Sequence, residues 1–187
     1  GAGIQYKWIK NITNAKSYSQ MNLLASKVNI GSDGLLLYPF GNGSERMFNN
    51  NDIGSCFKNL NLNLHSNSHL YRATLEGIAF SFMYGMEILI QDNFSPSLVR
   101  AGNDNLFQSD LFSQTISTLI DKEIEIFEST GAYGAARAVG CEPNDFKSYS
   151  EEITKNDYVK SFEPQKQKEL YLDAYKTWKQ NVEKIIN

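Results

Sequence analysis

Apolar residues return along this chain with two different periods, and the switches between them divide it into elements. Leu70, Ala73, Ile78, Phe82, Met86, Leu89 and Ile90 recur at the spacing of one helical face through about Gln91, with Ser66 or Ser68 placed to cap the start. This is the longest core helix that the pattern predicts. An amphipathic stretch with Tyr6, Trp8, Ile9 and Ile12 opens the chain. Ser17 and Gln20 have capping-box spacing, so a second helix is expected to run to about Val28. Ser109 caps a further helix carrying Leu111, Phe112, Thr115, Ile116, Leu119 and Ile120. Strands are expected at residues 35–38, ended by Pro39, around Cys56 and Phe57, at Leu98 and Val99, and at residues 123–127, where apolar and polar positions alternate. Residues 41–52 are polar and Asn-rich, the composition of a loop. After an irregular linker, Glu163-Pro164 opens the last helix, with Leu170, Ala174, Tyr175, Trp178, Val182 and Ile185 on one face. No internal repeat or low-complexity tract interrupts this order.

Helix, strand, helix, strand is the order of an α/β layer structure, in which ligands gather beyond the strand ends. The last strand leads into "GAYGAARAVG", residues 131–140, capped by Ser129 or Thr130. Glycine lowers helix stability by roughly 1 kcal/mol relative to alanine. Two glycines in so thin a helix therefore predict that a neighbour approaches its backbone closely.

Length and charge narrow the class. The 187 residues suit one domain, and 41% hydrophobic residues, with eleven Phe and ten Tyr, are enough for a packed core. A net charge of −3 offers no basic field for nucleic acid. No run of 18 apolar residues suggests a membrane partner, and no leader pattern is visible, so a soluble, cytoplasmic protein is expected. Cys56 and Cys141 lack CxxC spacing, and with His65 and His69 they form no zinc signature, so no metal site is expected. The chain opens without methionine, directly into an amphipathic stretch, as though cut in mid-protein.

Candidate chemistry is sparse. The turn Arg100-Ala101-Gly102-Asn103 sits at a strand end with small residues where a nucleotide could approach, and a plain tight turn explains it equally. Arg72 and Glu76 lie i,i+4 on one helix face; a structural or domain-closure role fits them better than catalysis. His69 is placed for a cap or a surface role. Tyr171, Tyr175 and Trp178 form a stripe at core spacing.

Several blocks in order resemble a known family. They are "GLLLYPFGNGSER" (34–46), "LYRATLEGIAFSFMYGMEIL" (70–89), "VRAGNDNLFQSDLFSQ" (99–114), "GAYGAARAVG" and "AYKTWKQNV" (174–182). Together they resemble the FGGY carbohydrate kinases, and within them the xylulokinases. The resemblance implies a ribonuclease-H-like, actin-like ATPase domain: the C-terminal, nucleotide-side half of a two-domain kinase, spanning residues 1–187 and incomplete at its N-terminus. It implies transfer of the γ-phosphate of ATP, with Mg²⁺, to D-xylulose. It also implies a partner N-terminal domain that holds most of the sugar site and the general-base Asp, so no catalytic residue is expected here. A homodimer is compatible with it. Gly1 and Gln5 match the start of a helix that meets the nucleotide, Gly102 and Asn103 match a glycine turn facing the adenosine, and Ser109 matches a small polar residue that can bond the adenine. Gln5 could equally be a solvated helix residue, and Ser109 a simple cap. The pattern departs from the family where a Gly-Gly-Gly turn has become Arg100-Ala101-Gly102-Asn103 and where Leu106-Phe107-Gln108 is extra. Glycerol, gluconate or rhamnulose as acceptor, or an actin-like domain without turnover, are the alternatives.

Overall fold

One long helix organises the domain. In the computed structural model, which describes residues 2–142 and 145–186, helix α3 (Asn67–Gln91) is buried continuously from Tyr71 to Phe80. Around it pack α1 (Ala2–Ile12), α2 (Tyr18–Ala25), strand β1 (Leu36–Phe40), α4 (Asp110–Ile120) and α7 (Lys168–Ile186). Strand β1 pairs antiparallel with β2 (Gly54–Lys58) in a two-stranded ribbon. A second sheet has the order β3 (Val99–Gly102), β4 (Ile124–Phe127), β5 (Tyr158–Phe162), parallel between β3 and β4 and antiparallel between β4 and β5. Helices α5 (Gly131–Val139) and α6 (Phe146–Asp157) lie between β4 and β5 in sequence.

α3 and β1 pack backbone to backbone at Gly77. A Cβ there would stand 2.3 Å from the Leu37 carbonyl oxygen of β1. The same carbonyl accepts a hydrogen bond from the Trp178 indole Nε1 at 2.8 Å, and Trp178 is fully buried among Tyr38, Phe40, Phe80, Tyr84 and Tyr175. Glycine in α3 and tryptophan in α7 thus meet at one strand carbonyl. A buried carbonyl needs a donor, and the indole supplies it.

A second fixed point is polar. Arg72 and Glu76 are buried, with Nε to Oε1 at 2.6 Å. Glu76 also accepts from the Gly31 amide (3.1 Å) and the Ser32 hydroxyl (3.0 Å), while Arg72 donates to the Tyr171 hydroxyl at 2.8 Å. Burial is the largest influence on the Glu76 carboxyl and leaves its pKa raised, against the pull of Arg72 and the two other donors. Burial alone would lower the Arg72 pKa, but Glu76 and Tyr171 outweigh it and raise it. The pair therefore ties the 31–34 turn to α3 and α7, and a surface helix pair is the wrong reference for it.

Several expectations are corrected. Pro39 does not end β1, which runs to Phe40; in a two-stranded ribbon a residue without an amide proton is tolerated on the unpaired side. Helix α2 stops at Ala25, and Gln20 reaches back to the Lys16 amide instead of Ser17, although Ser17 does cap with its side chain. Residues 100–102 belong to strand β3, not to a turn. The linker contains α6 and β5, whose polar sequences suit a solvated helix and an edge strand and so show little apolar period. The last helix begins at Lys168, because the Gln114 side chain bonds the Glu163 carbonyl and the Thr118 hydroxyl accepts from the Gln165 amide, holding the preceding segment against α4. Its buried face uses Tyr171 and leaves Leu170 and Ile185 exposed. On α1, Tyr6 and Ile9 are buried while Trp8 and Ile12 face solvent. The thin helix α5, capped by Thr130, has no buried residue among those described, and a Cβ on Gly131 or Gly134 would meet nothing within 4 Å. The close approach predicted for it lies at Gly77.

Candidate functional site

Helices α1 and α2 and the 3₁₀ turn Asn105–Gln108 enclose a cavity of about 300 Å³. Its wall is partly aromatic and partly amide. Tyr6 and Tyr18 stack with ring centroids 5.7 Å apart. Asn22, Asn105 and Gln108 present side-chain amides, and Ser19 and Ser109 hydroxyls. Among the described residues, no charged side chain lines it. Such a wall offers π-faces for a flat ring and donor–acceptor groups for its edge.

Local sequence explains the shape. Gly3 keeps α1 thin where Asn105 faces it: a Cβ on Gly3 would lie 3.6 Å from Asn105 Oδ1. Asn105 adopts a left-handed backbone (φ 48°), a conformation that asparagine tolerates better than most residues. Ser109 is buried and its Oγ accepts from the Phe112 amide at 3.3 Å, so it caps α4 and lines the cavity at once. The Tyr6 hydroxyl donates to Asn22 Oδ1 at 2.8 Å, and burial pushes its pKa well above the ordinary tyrosine value.

The residues expected to meet a nucleotide do not all gather here. Ser109 lines the cavity, and Gly1 lies outside the described residues. Gln5 points to the other side of α1, where its Oε1 accepts from the Ser55 hydroxyl at 2.9 Å in a groove with Trp8 and Phe57. Asn103 stands at the edge: its carbonyl accepts from Gln108 Nε2 at 3.3 Å, and its own amide side chain donates to Glu128. Gly102 lines a separate cleft of about 310 Å³ with Arg100, Phe127, Ser150 and Asp157. A Cβ on Gly102 would lie 2.2 Å from the Ser129 carbonyl oxygen, so its smallness is required by the backbone of the chain itself and not by a ligand. Sequence reasoning passed over Gly3, Tyr18, Asn22, Asn105 and Gln108. The signal for Gly3 and Asn105 was present, a glycine in a helix and an asparagine in a tight turn; Asn22 carried none.

The other polar clusters do less for a ligand. His65 and His69 direct their Nε2 atoms to the Asp33 carbonyl and carboxylate and their Nδ1 atoms to the Asn61 and Ser66 amides, so His69 serves as a cap. Among the described residues no group of three or more His, Cys, Asp or Glu could hold a metal ion. α3 is long and apolar enough to cross a membrane, but its first half is the domain core and buries an ion pair.

Comparison with known proteins gives the cavity its setting. The model of the C-terminal domain of the FGGY family of carbohydrate kinases matches residues 3–140. The chain belongs to the FGGY family of carbohydrate kinases. Every wall residue of the cavity falls inside the matched segment. Among curated FGGY relatives, the gluconokinase of Bacillus licheniformis is 27% identical over 139 residues, covering 68% of this chain and 27% of its own length. That of Bacillus subtilis is 27% identical over 113 residues, covering 60% and 22%. The chain thus spans about a quarter of the curated relatives it matches. Among solved structures, xylulose kinase from Rhodospirillum rubrum superposes with a TM-score of 0.80 at 20% identity, over 98% of this chain and 38% of its own. Gluconate kinase from Lactobacillus acidophilus gives 0.75 at 21% identity over 98% and 38%. Plasmodium falciparum glycerol kinase with ADP gives 0.80 at 18% identity over 100% and 37%. These likenesses establish the fold: the actin-like α/β ATPase fold of FGGY C-terminal domains.

Proposed function

We propose that this FGGY chain supplies part of the nucleotide side of an ATP-dependent sugar kinase, which moves the γ-phosphate of ATP to a hydroxyl of D-xylulose. The observation that carries the reading is the aromatic and amide-lined cavity between α1, α2 and the 105–108 turn. Phosphoryl transfer depends on holding the phosphate in line with the attacking oxygen and on stabilising its charge, so a domain that grips the base contributes geometry. In this reading Ser109 touches the nucleotide, Asn103 acts through Gln108, and Gln5 and Gly102 shape the α1 and β3 flanks. Gly1 would extend the α1 flank. Mg²⁺ arrives on the phosphates, and the partner N-terminal domain brings the base carboxylate and most of the sugar contacts, in the cytoplasm.

D-Gluconate is the second acceptor, favoured by the gluconokinases among the sequence relatives. The test is ADP release by the full-length protein with ATP and Mg²⁺ against D-xylulose, D-gluconate, glycerol and L-rhamnulose. The reading expects D-xylulose-dependent release by the full-length protein and none by the 187-residue chain alone. Release with gluconate only would move the acceptor to the second reading. Absence of release with every one of the four acceptors, although ADP binds, would replace the kinase by a nucleotide-binding domain without turnover.

A further inference from the structure

We infer that Asn22 reads the edge of the nucleotide base in the α1–α2 cavity, and that Tyr6 positions it. The inference rests on the nucleotide reading of that cavity. A free asparagine amide presents a donor and an acceptor and can flip between them. Asn22 is not free in this sense. The Tyr6 hydroxyl donates to its Oδ1 at 2.8 Å, and Tyr6 is itself buried, so the amide is held with Nδ2 as the remaining donor. The Tyr6 hydroxyl is protonated through the neutral range, as a tyrosine ordinarily is, and burial raises its pKa further, so the donor that fixes the amide is present there.

Across the same cavity Gln108 is fixed with the opposite sense. Its Nε2 donates to the Asn103 carbonyl at 3.3 Å, which leaves Oε1 as an acceptor. One fixed donor and one fixed acceptor match the adenine edge, where a ring nitrogen accepts beside an amino group that donates. Inosine carries a carbonyl in place of that amino group and would set oxygen against Gln108 Oε1. Tyr18 stacks on Tyr6 in the cavity wall, with Lys10 Nζ 5.5 Å from its ring centroid, and puts aromatic surface beside the base. Asn22 thus contacts the base, whereas Tyr6 acts only through Asn22.

The test uses the chain and calorimetric titration with ADP, IDP and the 1-deaza, 3-deaza and 7-deaza analogues of ADP. The unchanged chain is expected to bind ADP about tenfold more tightly than IDP, the loss of one matched hydrogen bond at a built site. Asn22→Asp keeps the shape and the Tyr6 bond but removes the donor, so ADP binding should weaken about tenfold. That defect should vanish with the one deaza analogue that lacks the nitrogen Asn22 reads. Tyr6→Phe keeps the ring and should weaken ADP while erasing discrimination against the same analogue, an effect that a merely structural tyrosine would not produce. Equal ADP affinity in Asn22→Asp, or a defect that persists with every analogue, overturns the inference and leaves the cavity reading standing. Failure of the unchanged chain to bind ADP overturns the cavity reading and the inference with it.

Discussion

At the scale of single residues, glycines with the same sequence signal have opposite meanings. Gly131 and Gly134 stand in open space, while Gly77 and Gly102 each lie against a backbone carbonyl where a Cβ would come within 2.3 and 2.2 Å. A sequence shows that a glycine is present but not what stands beside it, since the neighbours Leu37 and Ser129 come from elements forty and twenty-seven positions away. Gly77→Ala is the direct probe. Alanine would gain roughly 1 kcal/mol of helix propensity, but forcing a methyl into a close-packed contact costs about 1–3 kcal/mol, and more against a backbone that cannot turn aside. The expected outcome is a net loss of stability, read as a fall in Tm of roughly 2–4 °C for each kcal/mol. An unchanged or raised Tm would show that α3 and β1 can separate without cost. Gly102→Val falls under the same argument, so that variant probes the β3 fold before it probes any ligand.

Among the elements, legibility followed burial. α4 and β4 carry apolar periods because one face of each meets the core, whereas α3 is legible as a long apolar run: it is buried on every side from Tyr71 to Phe80, and Phe82, Leu89 and Ile90 of its expected core face are exposed. The capping serines Ser17, Ser66 and Ser109 were legible for the same local reason: each sits just before its helix. α6 and β5 were not legible, since an exposed helix and an edge strand leave no apolar stripe. Pro164 misled because Gln114 and Thr118, 49 and 47 residues from the neighbours they bind, hold Glu163 and Gln165 off the helix. The candidate site was half legible: Ser109 and the extra Leu106-Phe107-Gln108 come from a recognisable block, whereas Asn22 and Tyr18 lie on a short helix whose one signal, the Ser17 cap, says nothing of a ligand. Helix α5 provides the prediction at this scale. Ala135 is exposed, and alanine and leucine differ little in helix propensity. Ala135→Leu in this chain should therefore leave Tm within about 1–2 °C of the parent, the range of an ordinary surface change. A fall corresponding to about 1–3 kcal/mol would mean that α5 packs against something after all.

For the whole molecule, the account joins a rigid core to a binding cavity on its flank. Trp178, Gly77 and the buried Arg72–Glu76 pair fix α7, β1 and the 31–34 turn on α3. α1 and α2 pack on the same helix, and their outer side forms the cavity wall. Under the proposed function, a nucleotide is the occupant of that cavity, which lies within the segment matched by the FGGY C-terminal domain. Because Gly3 borders it on the exposed side of α1, a larger side chain there should fill the cavity without disturbing the core. Calorimetric titration of ADP into the parent chain and into Gly3→Leu is the most direct measurement. The account predicts saturable binding by the parent, and binding weakened by about tenfold or more in Gly3→Leu with Tm no lower than the parent's. Equal ADP affinity in the two proteins, or none in the parent, would contradict it.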